Sequence, residues 1–240
     1  MTLLIFRPEQ KCAISATRFI AAGLPAIAVG LIDTQACEAA LATLPSILST
    51  LNADDSIIVT STVATQLLAL RHIRLPQQVN TYAVGASTAQ GLIEQGYQVI
   101  VPSAPTTEGL LALNELKQLT GKKVVIIKGQ GGRQDLAQQL TLRGAAISLA
   151  DIYQRIKIAT PKATQQWQAE QIRCIIATSG EMIESAFEQF DPKWLQSLPW
   201  IVVSPRTEQI AAKFGINTIL LSDDASDQAL IRRAKEFLEH

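Results

Sequence analysis

The sequence predicts an α/β protein made of two similar parallel-sheet domains that repeat one another. Two observations support this fold class: short apolar runs alternate with stretches of helical spacing, and the second half of the chain repeats the first. Strands that are apolar on both faces and separated by helices are typical of parallel sheets covered by helices on each side. Ten such runs are more than one open sheet usually holds, which favours two domains.

The predicted strands are continuous apolar runs bounded by polar or turn-forming residues. Between them the apolar residues follow helical spacing, as in Ala89, Leu92 and Ile93, where Gly96 marks the helix end. The ten runs are residues 3–6, 26–32, 56–59, 81–84, 98–101, 123–128, 146–153, 174–178, 200–204 and 218–222.

An internal repeat runs through the whole chain with few insertions, which indicates a duplication of one βα-rich unit. The matched positions are Thr60-Ser61 with Thr178-Ser179, Thr88 with Thr207, Arg7 with Lys128, and Gly23 with Gly144. The repeat does not decide which segments share a domain. The chain could divide near Gly121, or the first segment could pack with the C-terminal third while the middle forms the other domain.

Composition excludes several classes of function. Lys plus Arg equals Asp plus Glu, so neither nucleic acid nor an anionic membrane surface is expected as a partner. The start of the chain, MTLLIFRPEQ, is too briefly apolar for a signal peptide. Cys12, Cys37 and Cys174 are widely spaced and are expected to be free thiols. We therefore expect a cytoplasmic protein.

Small and hydroxyl residues recur where predicted strands lead into helices. In a parallel sheet this edge binds ligands, because helix N-termini present unpaired N–H groups there. Each Ser or Thr alone is better explained as a helix N-cap, and only their recurrence favours a ligand. The segments are Arg7-Pro8, Thr60 to Thr62, Gly85 to Thr88, Lys128 to Arg133, Thr178 to Gly180, and Ser204 to Thr207.

Standard catalytic sets are missing from the sequence. The stretch GQGGRQDL at residues 129–136 is neither GxGxxG nor a P-loop, and a tight turn explains it as well as an anion site does. His72 and His240 are both expected to be exposed, so a Ser-His-Asp triad is not predicted. No metal-ligand cluster is visible, and no cofactor or metal is predicted. The repeat alone indicates that Tyr153, opposite Ile32, is a packing residue.

An ordered set of motifs resembles the uroporphyrinogen-III synthase family along essentially the whole chain. The early elements are IFRP, VTSTVA and AVGASTAQGL, and the late ones are ATSGEM and VSPRTE. Between them, KGQGGRQDLAQQLTLRGAAISLADIYQR follows the family pattern RGxGGRExLxxxLxxRGAxVxxxxxYxR. This sequence departs from the family at Val63, where Asn is common, at Lys128, where Arg is common, and at Gln134, where Glu is usual.

The resemblance implies two flavodoxin-like α/β domains joined by a two-stranded connector. Residues 1–33 and 160–240 would form one domain and residues 38–150 the other, with connectors at 32–37 and 151–160. It also implies that the enzyme is a lyase that closes hydroxymethylbilane, a linear tetrapyrrole, in the cleft between domains. The last pyrrole is inverted and water is lost, without a cofactor. We expect a monomer that makes transient contact with the enzyme supplying its substrate.

Site residues are carried over from the family position by position. The Tyr of the YxR element, suspected of helping the terminal hydroxyl leave, matches Tyr153, which the resemblance therefore makes catalytic. The other matched residues are expected to bind the acetate and propionate groups of the substrate or to add charge at the rim. They are Arg7, Ser61, Thr62, Gly85, Ser87, Thr88, Lys128, Gly129, Arg133, Ser179, Gly180, Arg206 and Thr207.

Two other hypotheses remain at the level of sequence. A two-domain module that closes on a small anionic ligand without chemistry would share this architecture. A nucleotide-dependent enzyme is disfavoured because the sequence holds no phosphate-binding motif. Product analysis with hydroxymethylbilane separates the synthase from both.

Overall fold

The computed structural model describes residues 2–131, 134–161 and 172–239. Within them, every apolar run predicted as a strand forms one, although β5, β9 and β10 are shorter than their runs and β1, β2 and β7 extend well beyond theirs. The strands are β1 (Thr2–Pro8), β2 (Ala26–Ala36), β3 (Ser56–Val59), β4 (Asn80–Ala83), β5 (Val99–Ile100), β6 (Lys123–Gly129), β7 (Ala146–Lys157), β8 (Ile172–Ala177), β9 (Trp200–Val202) and β10 (Ile219–Leu221).

The described helices lie between the strands, as the alternating pattern predicts. Their starts are mostly marked by Ser, Thr, Asp or Gly, the residue types that favour the N-cap position. The helices are α1 (Glu9–Ala21), α2 (Glu38–Leu48), α3 (Thr62–Leu70), α4 (Ala86–Ile93), α5 (Thr107–Ala112), α6 (Asp135–Leu142), α7 (Gly180–Gln189), α8 (Pro192–Ser197), α9 (Pro205–Lys213) and α10 (Asp227–Leu238), with a 3₁₀ turn at Asn114–Leu116.

The chain divides into two compact units, which we name from their place in the sequence. The terminal unit comprises Met1–Thr34 and Ile156–His240, and the middle unit comprises Gln35–Arg155. Both changes of unit along the chain occur inside long strands, after Thr34 in β2 and after Arg155 in β7.

The two units share one strand order, but the chain enters that order at a different strand in each unit. In the terminal unit the order is β2-β1-β8-β9-β10, with every pair parallel. In the middle unit it is β7-β6-β3-β4-β5, again parallel throughout. Both correspond to the flavodoxin-like order 2-1-3-4-5, with β1 and β6 in the first position. The predicted α/β fold class is confirmed.

The duplication extends to a shift in strand register at the carboxyl-terminal edge of both sheets. In each unit the long strand gains one residue relative to its neighbour just where the strands end. The pairing steps from Lys128 with Asp151 to Gly129 with Tyr153 in the middle unit, and from Arg7 with Gly30 to Pro8 with Ile32 in the terminal unit. Tyr153 and Ile32 therefore occupy equivalent register positions.

Each unit has apolar packing on both faces of its sheet. One face of the terminal unit is rich in aromatic rings: Phe6 stacks on Phe190 with centroids 5.8 Å apart, and the fully buried Trp200 lies beside Phe187. The middle unit is packed mainly with aliphatic residues, among which Tyr82 and Tyr153 are exceptions. No described helix is long and apolar enough to cross a membrane.

Candidate active site

A cavity of about 530 Å³ opens at the carboxyl ends of the middle unit's strands. The edge of a parallel sheet at which strands lead into helices is where this class of fold places ligands. Four residues predicted from the sequence to be functional line the cavity: Ser61, Lys128, Gly129 and Tyr153. They come from three different segments of the chain, and the sheet order β7-β6-β3 brings them together.

Tyr153 is buried and is held by two hydrogen bonds. It is 7% exposed, and its phenol donates a hydrogen bond to the Ser61 hydroxyl at 2.9 Å. Its carbonyl accepts from the Gln130 amide at 2.6 Å, which ties the strand to the loop after β6. A buried tyrosine whose hydroxyl lies at a cavity wall combines an anchored ring with a proton available for chemistry.

Gly129 lets the tyrosine ring approach the backbone. A Cβ placed at Gly129 would lie 2.5 Å from Cε2 and Cζ of Tyr153, well inside van der Waals contact. The ring therefore rests on the peptide chain of β6, where no other residue type leaves it room. The matching position in the terminal unit is Pro8.

Ser61 begins helix α3. Its backbone is extended, and its hydroxyl accepts a hydrogen bond from the Ala64 amide at 3.1 Å. The same oxygen accepts from Tyr153, so one side chain contacts both the helix start and the phenol. The N-cap interpretation of the Thr-Ser strand end is correct, and the contact with Tyr153 is additional.

Two cations lie in the lining, and no Asp or Glu accompanies them among the described lining residues. The Lys128 side chain is 16% exposed, and its ammonium lies 3.7 Å from an Asp151 carboxylate oxygen, too far for a hydrogen bond. That oxygen is buried without a hydrogen-bond partner in the described part of the chain. The other cation is Arg155, the last residue of the YxR element.

Several lining residues were missed by reasoning from the sequence. Gln134 and Gln138 lie four residues apart, one helical turn, at the start of α6, and Gln130 adds a third amide. Arg155 was part of a quoted motif but was not selected. The apolar part of the wall comes from residues that the sequence marks only as core: Leu110, Ile126, Leu136 and Leu149.

The other predicted residues of the middle unit lie near the same edge but outside the cavity lining. Thr62 and Ser87 are exposed, and Thr88 is buried. Gly85 is the N-cap of α4 and supplies no side-chain cap, so the first amides of that helix receive none from it. Such amides suit an anion, and carboxylate binding at α4 stays a prediction.

In the terminal unit the equivalent helix starts are closed by their own side chains. Ser179 caps α7 by accepting from the Met182 amide at 3.3 Å. Ser204 and Thr207 form a reciprocal capping box at α9, with Thr207 Oγ1 also 2.9 Å from the Ser204 amide. Gly180 packs against Ile210, and Arg206 is exposed. Their roles in binding stay predictions.

Arg7 is buried within the terminal unit. Its side chain is 6% exposed and forms an ion pair with Asp227, and it donates to the Ser15 hydroxyl at 2.7 Å. Burial disfavours the charged carboxylate of Asp227, but hydrogen bonds from Ser15 and Arg18 and the charge of Arg7 outweigh it and lower its pKa. Because this guanidinium is already neutralised, we leave Arg7 out of the binding residues proposed below.

The remaining candidates carry little chemistry. Arg133, predicted to add charge at the rim, lies outside the described residues, as does His240. His72 is exposed. Burial raises the pKa of the Cys174 thiol to about 12, which keeps it protonated and unreactive at neutral pH. No group of His, Cys, Asp or Glu that could hold a metal ion occurs among the described residues.

Comparison with known proteins is consistent with the motif set. A family model described as uroporphyrinogen-III synthase HemD matches residues 15–232. The uroporphyrinogen-III synthase of Salmonella typhimurium is 31% identical over 247 aligned positions, covering 97% of this chain and 99% of that protein. The Escherichia coli enzyme is 32% identical over 165 positions, covering 65% of this chain and 67% of that protein.

Solved structures agree on the fold. Uroporphyrinogen-III synthetase from Helicobacter pylori aligns with a TM-score of 0.67 at 16% identity, over 99% of this chain and all of that one. A mutant uroporphyrinogen III synthase from Thermus thermophilus aligns over all of both chains with a TM-score of 0.65 at 14% identity. At these identities the alignments support the fold alone.

Proposed function

The chain belongs to the uroporphyrinogen-III synthase family, and we propose that the cavity of its middle unit binds the reacting end of hydroxymethylbilane. The protein is therefore an enzyme, a cyclising lyase of tetrapyrrole biosynthesis. The resemblance noted in the sequence is confirmed, and the alternative of a binding module without chemistry is not favoured. The observation that carries the proposal is the placement of Tyr153 at the wall of this cavity.

The lining suits a pyrrole that bears carboxylates. Leu110, Leu136 and Leu149 offer apolar surface to the ring. Lys128 and Arg155 offer positive charge to its acetate and propionate groups, and the nearby Asp151 carboxylate, 3.7 Å from the Lys128 ammonium, lies outside the described lining. A local pair of cations therefore serves a polyanionic substrate in a protein of zero net charge.

Tyr153 is proposed to protonate the leaving hydroxyl. As the C–O bond breaks, its electron pair goes to the hydroxyl oxygen, which takes the phenol proton and departs as water. The lone pair of the pyrrole nitrogen supplies the electrons that the methylene carbon loses. The last pyrrole then attacks that carbon through its substituted α-carbon. The bond from this α-carbon to the preceding methylene breaks, the methylene re-bonds at the free α-carbon of the same pyrrole, and the proton lost from that carbon restores the phenol. General acid assistance of this kind contributes a factor of about 10² to 10⁴.

The proposed binding residues of the middle unit are Lys128 and Gly129 in the cavity, with Thr62, Gly85, Ser87 and Thr88 at the neighbouring helix starts. Ser61, which the sequence also predicts to bind, is hydrogen-bonded to Tyr153. Lys128 carries the largest share, because a half-buried ammonium interacts more strongly with a carboxylate than a hydroxyl does. The helix starts contribute backbone amides.

The proposal is tested by supplying hydroxymethylbilane to the purified protein and separating the uroporphyrinogen isomers. The type III isomer should form faster than the spontaneous type I isomer, and no metal or organic cofactor should be needed. Type I alone would contradict the proposal.

We also propose a monomer in the cytoplasm that contacts the enzyme supplying its unstable substrate. Three free cysteines fit a reducing compartment. Sedimentation of the protein alone, and then with that enzyme, tests the oligomeric state and the contact.

A further inference from the structure

We infer that Ser61 is a positioning residue for Tyr153 and not a ligand for substrate carboxylates. The inference rests on the catalytic role proposed above for Tyr153, and it changes the role that the sequence comparison predicts for Ser61. Two hydrogen bonds carry it: the one from the Ala64 amide at 3.1 Å and the one from the Tyr153 phenol at 2.9 Å.

The hydrogen-bonding capacity of a serine hydroxyl limits what Ser61 can do. A hydroxyl has one hydrogen to donate and two lone pairs that accept. The Ala64 amide permanently occupies one lone pair, because that bond caps α3. The Tyr153 phenol oxygen lies 2.9 Å from the Ser61 oxygen, which still has one hydrogen and one lone pair to offer. Tyr153 can therefore either donate a hydrogen bond to Ser61 or accept one from it.

These two arrangements match the two stages of the proposed step. Before reaction, the phenol donates to Ser61, which keeps the tyrosine hydroxyl at the cavity wall. When substrate binds, the phenol hydrogen turns from Ser61 to the leaving hydroxyl. As Tyr153 passes this proton on, Ser61 rotates its own hydrogen onto the phenolate oxygen. No atom is gained or lost by Ser61, because its proton stays on its oxygen while the hydrogen bond reverses direction.

The start of α3 strengthens this donation. An amide N–H bound to the serine oxygen withdraws electron density from it, and the positive end of the helix lies on the same side. Ser61 therefore becomes a better donor as charge develops on Tyr153. During that step its single hydrogen is committed to the phenolate and cannot also bind a carboxylate.

The duplicated copy separates capping from positioning. Ser179 caps α7 in the terminal unit with the same geometry, accepting from the Met182 amide at 3.3 Å. The register position that Tyr153 holds is filled there by Ile32, which has no hydroxyl. A serine at this strand end thus suffices as a cap, and only in the middle unit does it meet a phenol.

The experiment measures kcat and KM for type III product in Ser61→Ala, Ser61→Thr, Tyr153→Phe and the double variant Ser61→Ala with Tyr153→Phe. Ser61→Ala should lower kcat about tenfold, the value of one hydrogen bond, with KM unchanged. Ser61→Thr keeps the hydroxyl and the helix cap, so its kcat should stay within about twofold of wild type. The double variant should be no slower than Tyr153→Phe alone.

The matched control is Ser179→Ala, which removes a helix cap in the other copy. Whatever it does to turnover should multiply with the effect of Tyr153→Phe, because the Ser179 hydroxyl caps α7 and the register position equivalent to Tyr153 in its own unit holds Ile32. If Ser61→Ala raised KM and left kcat unchanged, Ser61 would be a carboxylate ligand and the inference would be wrong. It would also be wrong if the losses from Ser61→Ala and Tyr153→Phe multiplied.

Failure of the proposed function gives a different result. In that case Tyr153→Phe alone would leave kcat unchanged, which would remove Tyr153 from the reaction and Ser61 with it. If Tyr153→Phe lowers kcat but the loss from Ser61→Ala multiplies with it in the double variant, only the positioning role of Ser61 is overturned.

Discussion

The two copies of the duplicated unit share their backbone and differ in their chemistry. Ser61 and Ser179 cap equivalent helices at nearly equal distances, and the same shift in strand register precedes Tyr153 and Ile32. In the middle unit these features surround an open cavity with a phenol at its wall. In the terminal unit an aliphatic residue replaces the phenol, and the cation at the strand end is buried in an ion pair.

The comparison teaches that the fold repeats more faithfully than the site. Strand order, caps and register are backbone properties, and a duplication conserves them while packing is maintained. A site needs only a few changed side chains: Tyr for Ile at residue 153, and Gly129 in place of a counterpart that has a ring. The same scaffold therefore carries a cavity with a phenol at its wall in one copy and an aliphatic residue at the equivalent register position in the other.

The largest expected effect separates the two strand-end cations. Arg7→Met should lower the free energy of unfolding by about 3–5 kcal/mol, because it leaves the buried Asp227 carboxylate without its buried ion-pair partner. Arg18→Met removes the exposed partner of the same carboxylate and should cost less than about 1 kcal/mol. Urea titration checks both values.

Arg7 would belong to the binding site if Arg7→Met kept wild-type stability and raised KM instead. Arg7 and its repeat counterpart Lys128 would then both bind substrate, and the two copies would not differ in the role of this cation.

A second prediction concerns the glycine beneath the tyrosine ring. Gly129→Ala should lower kcat on the order of 30-fold, because the new Cβ would lie 2.5 Å from the Tyr153 ring and push its hydroxyl away from the reacting position. Pro8→Ala, the equivalent change in the terminal unit, should leave kcat unchanged. Steady-state kinetics with a thermal unfolding scan distinguishes displacement from unfolding. Wild-type kcat in Gly129→Ala would mean that the ring position is not critical.

A third and smaller effect is expected at Lys128. Lys128→Met should raise KM about tenfold with little change in kcat, because a charge that binds substrate and transition state equally affects affinity alone. Lys128→Arg restores the residue common in the family and should keep KM within about threefold. Initial rates over a range of hydroxymethylbilane concentrations measure both. If KM did not change in Lys128→Met, another group would hold the carboxylates.

The fold was largely predictable from the sequence because its signals are local. Ten apolar runs became ten strands, and most of the helices between them begin at residues that the capping rule selects. The predicted fold class needed only the repeat and the alternation of periods. The strand order, with the middle unit starting at its third position, is not visible in any local pattern.

The site was only partly predictable, because its contacts join distant segments. Tyr153 and Ser61 were both selected, but nothing in the sequence places a phenol against a serine 92 positions away in the chain. Arg7 and Lys128 look alike at their strand ends. Only the folded structure shows that Asp227, on the last helix, neutralises Arg7. The apolar wall was missed because Leu136 and Leu149 resemble ordinary core residues.

The most direct test of the account is the rate of type III formation by Tyr153→Phe, with Ile32→Val as the matched change in the other copy. Tyr153→Phe should fold normally and lose about a hundredfold in kcat, so that spontaneous type I isomer dominates the product. Ile32→Val should lose about 1 kcal/mol of stability and keep wild-type turnover. An unchanged rate in Tyr153→Phe would contradict the claim that the chemistry depends on this residue of the middle unit.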